Sequence, residues 1–141
     1  METANKTVIT VETTVKAPVA KVWESWTSPE HITKWCQASD DWHAPYAEND
    51  PQTGKKFKTT MAAKDGSASF DFEGIYTNVE EYKLIEYEMG DGRKVRVEFT
   101  PVDGETKIVE SFDAESIHPE EMQRSGWQAI LDNFRKYTES V

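Results

Sequence analysis

The sequence predicts an α+β fold in which a curved antiparallel β-sheet wraps around a long C-terminal helix, with two short helices after the first strand. Residues 118–141 carry apolar side chains at a helical period across about half of the helix circumference, which is the pattern of a helix with one buried face. Residues 55–114 alternate between apolar and polar side chains and are divided by Asp-Gly pairs, which favour tight hairpins. A sheet with one apolar face must cover that face, so we expect the helix to lie across the sheet.

Length and composition indicate one domain spanning residues 1–141, because no linker, repeat or low-complexity segment divides the chain. The net charge of −10 argues against nucleic-acid and membrane-surface partners, which require a basic face. A single cysteine, Cys36, excludes an intramolecular disulfide. Neither a signal peptide nor an apolar segment of about 20 residues is present, so we expect a cytoplasmic location without membrane insertion.

The first part of the chain predicts one strand and two short helices. Thr7–Lys16 alternates in the manner of a strand with one buried face, and Pro18 ends it. Apolar residues then recur at a helical period as far as Trp26. Pro29 suits the first position of a second helix, which we expect to end near Trp35.

The rest of the predicted sheet is a meander of hairpins. We predict a short strand near residues 42–47 and further strands near residues 55–63, 68–79, 84–89, 94–101 and 106–114. The turns contain Asp-Gly pairs at 91–92 and 103–104 and a further one at 65–66, and glycine readily adopts the positive φ that such turns require. Short connections of this kind make successive strands antiparallel neighbours.

Four segments carry a resemblance to a known family: Val15-Lys16-Ala17-Pro18, Trp26-Thr27-Ser28-Pro29-Glu30-His31-Ile32, Gly74-Ile75-Tyr76 and Gly126-Trp127. Over residues 8–138 the chain resembles proteins similar to the C-terminal domain of the activator of heat-shock-protein-90 ATPase, within the START-like, birch-pollen-allergen-like SRPBCC superfamily. The resemblance implies a helix-grip fold with a hydrophobic cavity between the long helix and the concave sheet. It is weaker for function, because family members share the scaffold and differ in what the cavity holds.

On this fold, ten side chains are expected to face the space between the helix and the sheet. They are Trp35, Phe57, Phe72, Tyr76, Tyr87, Phe99, Glu110, Trp127, Ile130 and Phe134. Aromatic side chains ordinarily fill a core, but this number does not pack without gaps against one helix, and the tyrosine hydroxyls need partners. We therefore expect a partly polar ligand cavity, with Trp127, Ile130 and Phe134 near the centre of the helix face that covers it.

The carboxylates of the predicted strands differ in the faces they occupy. Asp71 and Glu73 flank Phe72 and are expected to face solvent. Glu110 shares a face with apolar residues and is the best candidate for a polar anchor inside the cavity, where it would have to be paired or protonated. Two alternatives stay open: a bulge that turns Glu110 outward, and a register that places Glu86 in the cavity instead.

Candidate metal and catalytic residues are few. The histidines, at positions 31, 43 and 118, lack the spacing of a metal site, and we expect no metal and no cofactor. Asp40, Asp41 and His43 lie in a loop at the expected mouth of the cavity, where a metal or acid-base role competes with a solvated loop. No catalytic triad or phosphate loop is present, and no catalytic residue is assigned. Cys36 is expected to pack beside Trp35 rather than to act as a reactive thiol.

We expect the cavity to bind a small hydrophobic or aromatic molecule, of a lipid-, flavonoid- or polyketide-like kind, without performing chemistry on it. Tyr76, Tyr87 or Glu110 would orient its polar groups. One alternative is an enzyme of the cyclase or hydrolase kind, in which a carboxylate or His43 moves protons. Another is a co-chaperone-like domain whose acidic surface docks on a chaperone and stimulates its ATPase.

Overall fold

The described residues of the computed structural model, 7–37 and 39–141, form their helices and strands in the predicted order. These are β1 (Val8–Val15), α1 (Val19–Thr27), α2 (Pro29–Trp35), β2 (Trp42–Asn49), β3 (Lys56–Ala63), β4 (Ser69–Glu80), β5 (Leu84–Met89), β6 (Lys94–Val102), β7 (Glu105–Asp113) and α3 (Glu120–Ser140). The first six residues of the polar N-terminal segment lie outside the described part of the chain. The predicted α+β architecture is confirmed.

The seven strands form one antiparallel sheet that curls into a half-barrel, in the order β1-β7-β6-β5-β4-β3-β2. The first strand pairs with the last along its whole length, with Val8 opposite Asp113 and Val15 opposite Thr106. This pairing leaves β1 and β2 as the two edges of the sheet. Helices α1 and α2 connect those two edges and therefore cross the open side of the half-barrel.

The Asp-Gly pair between β6 and β7 forms the tight hairpin that the sequence predicts. Asp103 and Gly104 have φ values of 51° and 81°, and Val102 pairs with Glu105 directly before and after them. Positive φ at both central residues is the geometry of a type I′ turn, whose twist matches that of the flanking strands. Local turn chemistry therefore sets the register of β6 against β7.

Helix α3 begins at Glu120, two residues after the predicted start of 118. Pro119 stands at the N-cap with an extended backbone (φ −57°, ψ 145°), so the helix starts at the residue after it. Glu120 and Glu121 place negative charge at the positive end of the helix dipole. Strand β2 is also longer than predicted, since it reaches Asn49 instead of residue 47.

Side chains of α3 cover part of the open edge of β1. Arg124 Nη1 donates to the Thr10 carbonyl oxygen at 2.9 Å, and Gln128 Nε2 donates to the Glu12 carbonyl oxygen at 3.1 Å. An edge strand otherwise presents unpaired backbone groups to water and to other chains. These contacts hold α3 along β1, so that its apolar face is directed into the half-barrel.

Five aromatic rings join α1, α2, β6 and α3 into a solid core. This aromatic cluster consists of Trp23, Trp26, Trp35, Phe99 and Phe134. The ring centroid of Phe134 lies 4.8 Å from that of Trp26 and 4.9 Å from that of Trp35 in edge-to-face arrangements. Such pairs contribute about 0.5–1.5 kcal/mol beyond the burial of their area. The aromatic cluster fixes the short helices against α3 and bounds one end of the space beneath α3.

Candidate ligand cavity

A cavity of about 530 Å³ lies between α3 and the concave face of the sheet. Strands β3, β4, β5 and β7 supply one wall, and α3 with the C-terminal part of α2 supplies the other. This volume falls within the range of about 300–1,000 Å³ that small-molecule sites occupy. Concave, mainly apolar sites of this size are where small molecules usually bind, so this cavity is the candidate ligand site.

The sheet wall of the cavity is aromatic. The ring of Phe57 lies 4.8 Å from that of Tyr87, 5.1 Å from that of Tyr76 and 5.7 Å from that of Phe72, measured between centroids. Strand alternation directs all four rings to the concave face. Gly74 stands opposite Phe57 on the neighbouring strand, and a Cβ there would come within 3.0 Å of the Phe57 ring. The glycine thus makes room for the ring.

The opposite wall comes from the N-terminal half of α3. Gly126, Trp127, Ile130 and Leu131 line it. The Trp127 indole stacks on Phe112 of β7, with centroids 3.9 Å apart and an interplanar angle of 11°. This stacking anchors the ring that closes the cavity on that side.

Glu110 is a buried carboxyl group in the wall of the cavity. Its residue is only 6% exposed, and it lines the cavity on β7 between β1 and β6. The pairing is continuous there, with Glu110 opposite Val11 on one side and Val97 on the other, so no bulge turns the side chain outward. Burial raises the pKa of Glu110 to about 8. The carboxyl group is therefore mainly protonated at neutral pH.

Tyr87 and Cys36 lie near Glu110 and are also buried. Burial, followed by the charge of Glu110, raises the pKa of Tyr87 well above its usual range. The same two causes raise the pKa of the Cys36 thiol to about 12. All three groups are therefore neutral at physiological pH, and Cys36 is a poor nucleophile. Its burial beside Trp35 agrees with the packing role expected from the sequence.

Polar side chains border the cavity towards β2 and the segment before α3. The Tyr76 hydroxyl donates to Asn49 Oδ1, so this hydroxyl already has a partner. Burial is the main cause that raises the pKa of Tyr76 above its usual range. His118 Nδ1 lies 2.9 Å from Glu115 Oε2, and Gln123 Nε2 donates to the His118 carbonyl oxygen at 2.8 Å. These contacts tie down the chain where it enters α3.

Eight of the ten side chains predicted to face this space line the cavity. They are Trp35, Phe57, Phe72, Tyr76, Tyr87, Glu110, Trp127 and Ile130. Phe99 and Phe134 do not: they are 3% and 0% exposed within the aromatic cluster. The prediction that these two form cavity walls is corrected, because α1 and α2 pack over them and close that end of the half-barrel.

Several lining residues were not predicted from the sequence. Met61 and Ile85 line the cavity and share strand faces with Phe57 and Tyr87, so alternation alone was a sufficient signal for them. Trp26, Ile32 and Cys36 reach the cavity from the short helices, and Trp42 and Phe70 border it from β2 and β4. Where the short helices sit depends on the aromatic cluster, which no local pattern in the sequence reveals.

The remaining candidates from the sequence do not line the cavity. Asp40, Asp41 and His43 are exposed and do not line it. Within residues 7–37 and 39–141, no group of three or more His, Cys, Asp or Glu side chains is arranged to hold a metal ion. Asp71 and Glu73 face solvent as expected. Glu86 accepts a hydrogen bond from Arg96 Nη1 at 2.8 Å and does not line the cavity.

Comparison with known proteins places this architecture in a family. The family model described as Activator of Hsp90 ATPase homolog 1-like protein matches residues 16–139. The chain belongs to this family. The resemblance drawn from the sequence motifs is thereby confirmed, and no curated protein matches the chain.

Solved structures of relatives share the whole fold. The solution structure of the AHSA1-like protein from Aeromonas hydrophila is 42% identical, with a TM-score of 0.89, and the match covers 95% of this chain and 93% of that one. Chr148 from Cytophaga hutchinsonii is 59% identical, with a TM-score of 0.82 over 97% of this chain and 94% of that one. NE0264 from Nitrosomonas europaea, 20% identical with a TM-score of 0.81, shares the fold over 94% of each chain. Among the described residues, no helix of this family member is both long and apolar enough to cross a membrane.

Proposed function

We propose that the cavity binds a small, mainly apolar molecule of a lipid-, flavonoid- or polyketide-like kind. The observation that carries the proposal is a cavity of about 530 Å³ with an aromatic wall and a buried carboxyl group, Glu110, directed into it. Removing apolar surface from water stabilises a complex by about 25 cal/mol per Å², and the rings of Phe57, Phe72 and Trp127 offer such surface. The fold class commonly binds ligands or acts as a co-chaperone, which is consistent with this proposal.

A chemical-shift titration tests this proposal. Isotope-labelled protein is titrated with fatty acids, flavonoids and polyketide-like aromatics, and saturable shifts are expected for Trp127 and Tyr87. Gly126 lines the cavity, and a Cβ there would meet no atom within 4 Å, so Gly126→Phe is expected to fill the space without clashing at Cβ. This variant should lose the shifts, whereas the matched control Gly126→Ala should keep them. Absence of any shift at millimolar ligand would contradict ligand binding.

A second candidate function is proton transfer in an enzyme of the cyclase or hydrolase kind. It is favoured by Glu110, whose pKa of about 8 lies close to neutrality, as a general acid or base requires. Glu110→Gln keeps the shape of the side chain and a hydrogen-bond donor but has no ionisable proton. Turnover lost in this variant, with ligand affinity retained, would support catalysis. Unchanged turnover would remove Glu110 from that role.

Docking on a chaperone is the remaining candidate. The net charge of −10 and the family name, which refers to Hsp90 ATPase, favour it. An acidic surface would bind a basic partner with an affinity that falls as salt is added. The measurement is the ATPase rate of the chaperone at two salt concentrations. An unchanged rate at low salt would count against this function.

A further inference from the structure

Two polar side chains in the cavity wall have no hydrogen-bond partner within the described part of the chain. Glu110 is 6% exposed and Tyr87 is 7% exposed, and both line the cavity. Their polar atoms open onto the cavity, whereas the enclosed side-chain atoms without a partner among the described residues are Gln37 Oε1 and Thr138 Oγ1. Tyr76 provides the contrast, because its hydroxyl already donates to Asn49. Glu110 and Tyr87 therefore each offer a polar group to a ligand in the cavity.

The two unpaired groups approach the same space from different strands. Tyr87 on β5 pairs with Val95 of β6, and Glu110 on β7 pairs with Val97 of the same strand. Strands lie about 4.8 Å apart, so β5 and β7 are about 10 Å apart with β6 between them. Long side chains from β5 and β7 on the same face therefore converge over β6. Their tips are close enough for the charge of Glu110 to act on the Tyr87 hydroxyl, yet the two do not bond to each other.

Among the described residues that face this space, none supplies a free cation to Glu110. Titratable and charged side chains that line the cavity are Cys36, Glu48, Tyr76, Tyr87, Arg93, Glu115 and His118. The Arg93 guanidinium is paired with Asp91, with Nε 2.7 Å from Oδ2. His118 is paired with Glu115. Because the described lining residues offer no free cation, a negatively charged ligand group beside Glu110 would be buried without a compensating charge. Such burial is strongly unfavourable.

We propose that the ligand carries a neutral carbonyl oxygen, as in a ketone, lactone or quinone, which accepts hydrogen bonds from the Glu110 carboxyl and the Tyr87 hydroxyl. This inference rests on the proposed ligand binding. A carbonyl oxygen has two lone pairs and so matches two O–H donors. A carboxylate would carry its charge into an apolar site, and a hydrocarbon would leave both donors unpaired. The cavity therefore selects neutral carbonyl compounds.

The carbonyl contact depends on pH through Glu110. The carboxyl group donates a hydrogen bond only while it is protonated, and burial raises its pKa to about 8. Affinity for a carbonyl ligand is therefore constant at neutral and lower pH and falls as the pH rises above about 8. Tyr87 stays protonated throughout this interval, because its pKa is raised well above its usual range.

Three probes with one ring system test the inference. Acetylnaphthalene has a neutral carbonyl, naphthoate has a carboxylate, and ethylnaphthalene has neither. Dissociation constants are measured at pH 7 from ligand fluorescence. The ketone should bind about tenfold more tightly than the hydrocarbon, which corresponds to one net hydrogen bond, and at least about tenfold more tightly than naphthoate.

Variants of the two donors separate their roles from folding. Glu110→Gln retains a donor and should keep the preference for the ketone while losing its pH dependence. Glu110→Leu should abolish most of the preference, and Tyr87→Phe should reduce it several-fold. Ethylnaphthalene is the internal control for all three variants, because its affinity should change little wherever the cavity is intact.

The outcomes of these measurements distinguish the inference from the proposed function. If ethylnaphthalene binds but the ketone is no tighter, or naphthoate binds equally well, the carbonyl inference is overturned and ligand binding stands. The carbonyl inference is also overturned if Glu110→Leu and Tyr87→Phe both retain the full preference for the ketone. If none of the three probes binds and the chemical-shift titration gives no shifts, the proposed function fails and the inference fails with it.

Discussion

Glu110 shows how one buried residue makes the whole protein sensitive to pH. In the unfolded chain its carboxyl group has an ordinary pKa near 4.5, whereas burial raises the pKa to about 8 in the folded protein. Between these values the folded state holds a proton that the unfolded state has lost. The contribution of Glu110 to the free energy of unfolding is therefore fully present below pH 4.5 and is lost as the pH rises to about 8.

We predict that Glu110→Gln flattens this dependence. The wild-type free energy of unfolding should fall between pH 5 and 8 by up to about 1.4 kcal/mol per pH unit from this group. The variant should lose that slope and become more stable than the wild type at pH 8. Urea unfolding at several pH values between about 5 and 8 measures the slope and the stability of each protein. Glu86→Gln, on the outer face beside Arg96, is the matched control and should keep the wild-type slope. Equal slopes in Glu110→Gln and wild type would contradict burial of an unpaired carboxyl.

Replacement of glycine by alanine is expected to change stability in opposite directions at Gly74 and at Gly126. A Cβ at Gly74 would lie 2.7 Å from the Glu88 carbonyl oxygen and 3.0 Å from the Phe57 ring, whereas one at Gly126 would meet no atom within 4 Å. We expect Gly74→Ala to destabilise the protein by about 1–3 kcal/mol, because the clashing oxygen belongs to the paired backbone of β5. Gly126→Ala should stabilise it by up to about 1 kcal/mol through helix propensity. Thermal or urea unfolding measures the change in stability caused by each variant. If Gly74→Ala also stabilises the protein, the backbone around Gly74 relaxes to accept the methyl group.

At the scale of the element, α3 performs two tasks along its length. Its N-terminal half presents Gly126, Trp127 and Ile130 to the cavity. Its C-terminal half inserts Phe134 into the aromatic cluster, where the side chain is fully buried. The breadth of the apolar face follows from this division, because one part of the helix must line a cavity while the other part fills a core.

This division predicts different consequences for two truncations on α3. Phe134→Ala should cost about 3–5 kcal/mol of unfolding free energy, because it removes a ring that touches Trp26 and Trp35. Ile130→Ala should cost less, since Ile130 is only half-buried and already faces a cavity, but it should alter ligand affinity. Urea unfolding and ligand titration on both variants provide the comparison. A larger stability loss at Ile130 would contradict the assignment of the cavity wall.

At the scale of the whole molecule, the hairpins of the half-barrel follow from patterns visible in the sequence, whereas the place of β1 does not. Three hairpins have an Asp-Gly turn signal, as at Asp103-Gly104, and alternation assigns the faces of Phe57 and Tyr87. The pairing of β1 with β7 joins residues about a hundred positions apart, from Val8 with Asp113 to Val15 with Thr106. That contact adds β1 at one edge of the sheet, and it depends on the fold as a whole.

The candidate site was only partly predictable. The sequence indicates on which face of a strand a side chain lies, but not whether that side chain borders a cavity or packs against another side chain. Period-two alternation placed Glu110 on the same face as its apolar neighbours and left a bulge open as the alternative, and it did not reveal whether the side chain has a hydrogen-bond partner. Phe99 has the same inward direction as its neighbours on β6, yet it is covered by Trp23 and Trp26. Whether an inward side chain meets another side chain or empty space depends on elements that are distant in sequence.

The sequence by itself determined the order of the helices and strands, the faces of the strands and the apolar side of α3, because periodicity and turn chemistry act over a few residues. Only the tertiary structure decided which aromatic side chains fill the core and which line the cavity. That division depends on how α1 and α2 cross the open side of the half-barrel and pack against Phe134. The same crossing closes one end of the half-barrel, and the cavity that Glu110 and Tyr87 line lies beside β5 and β7.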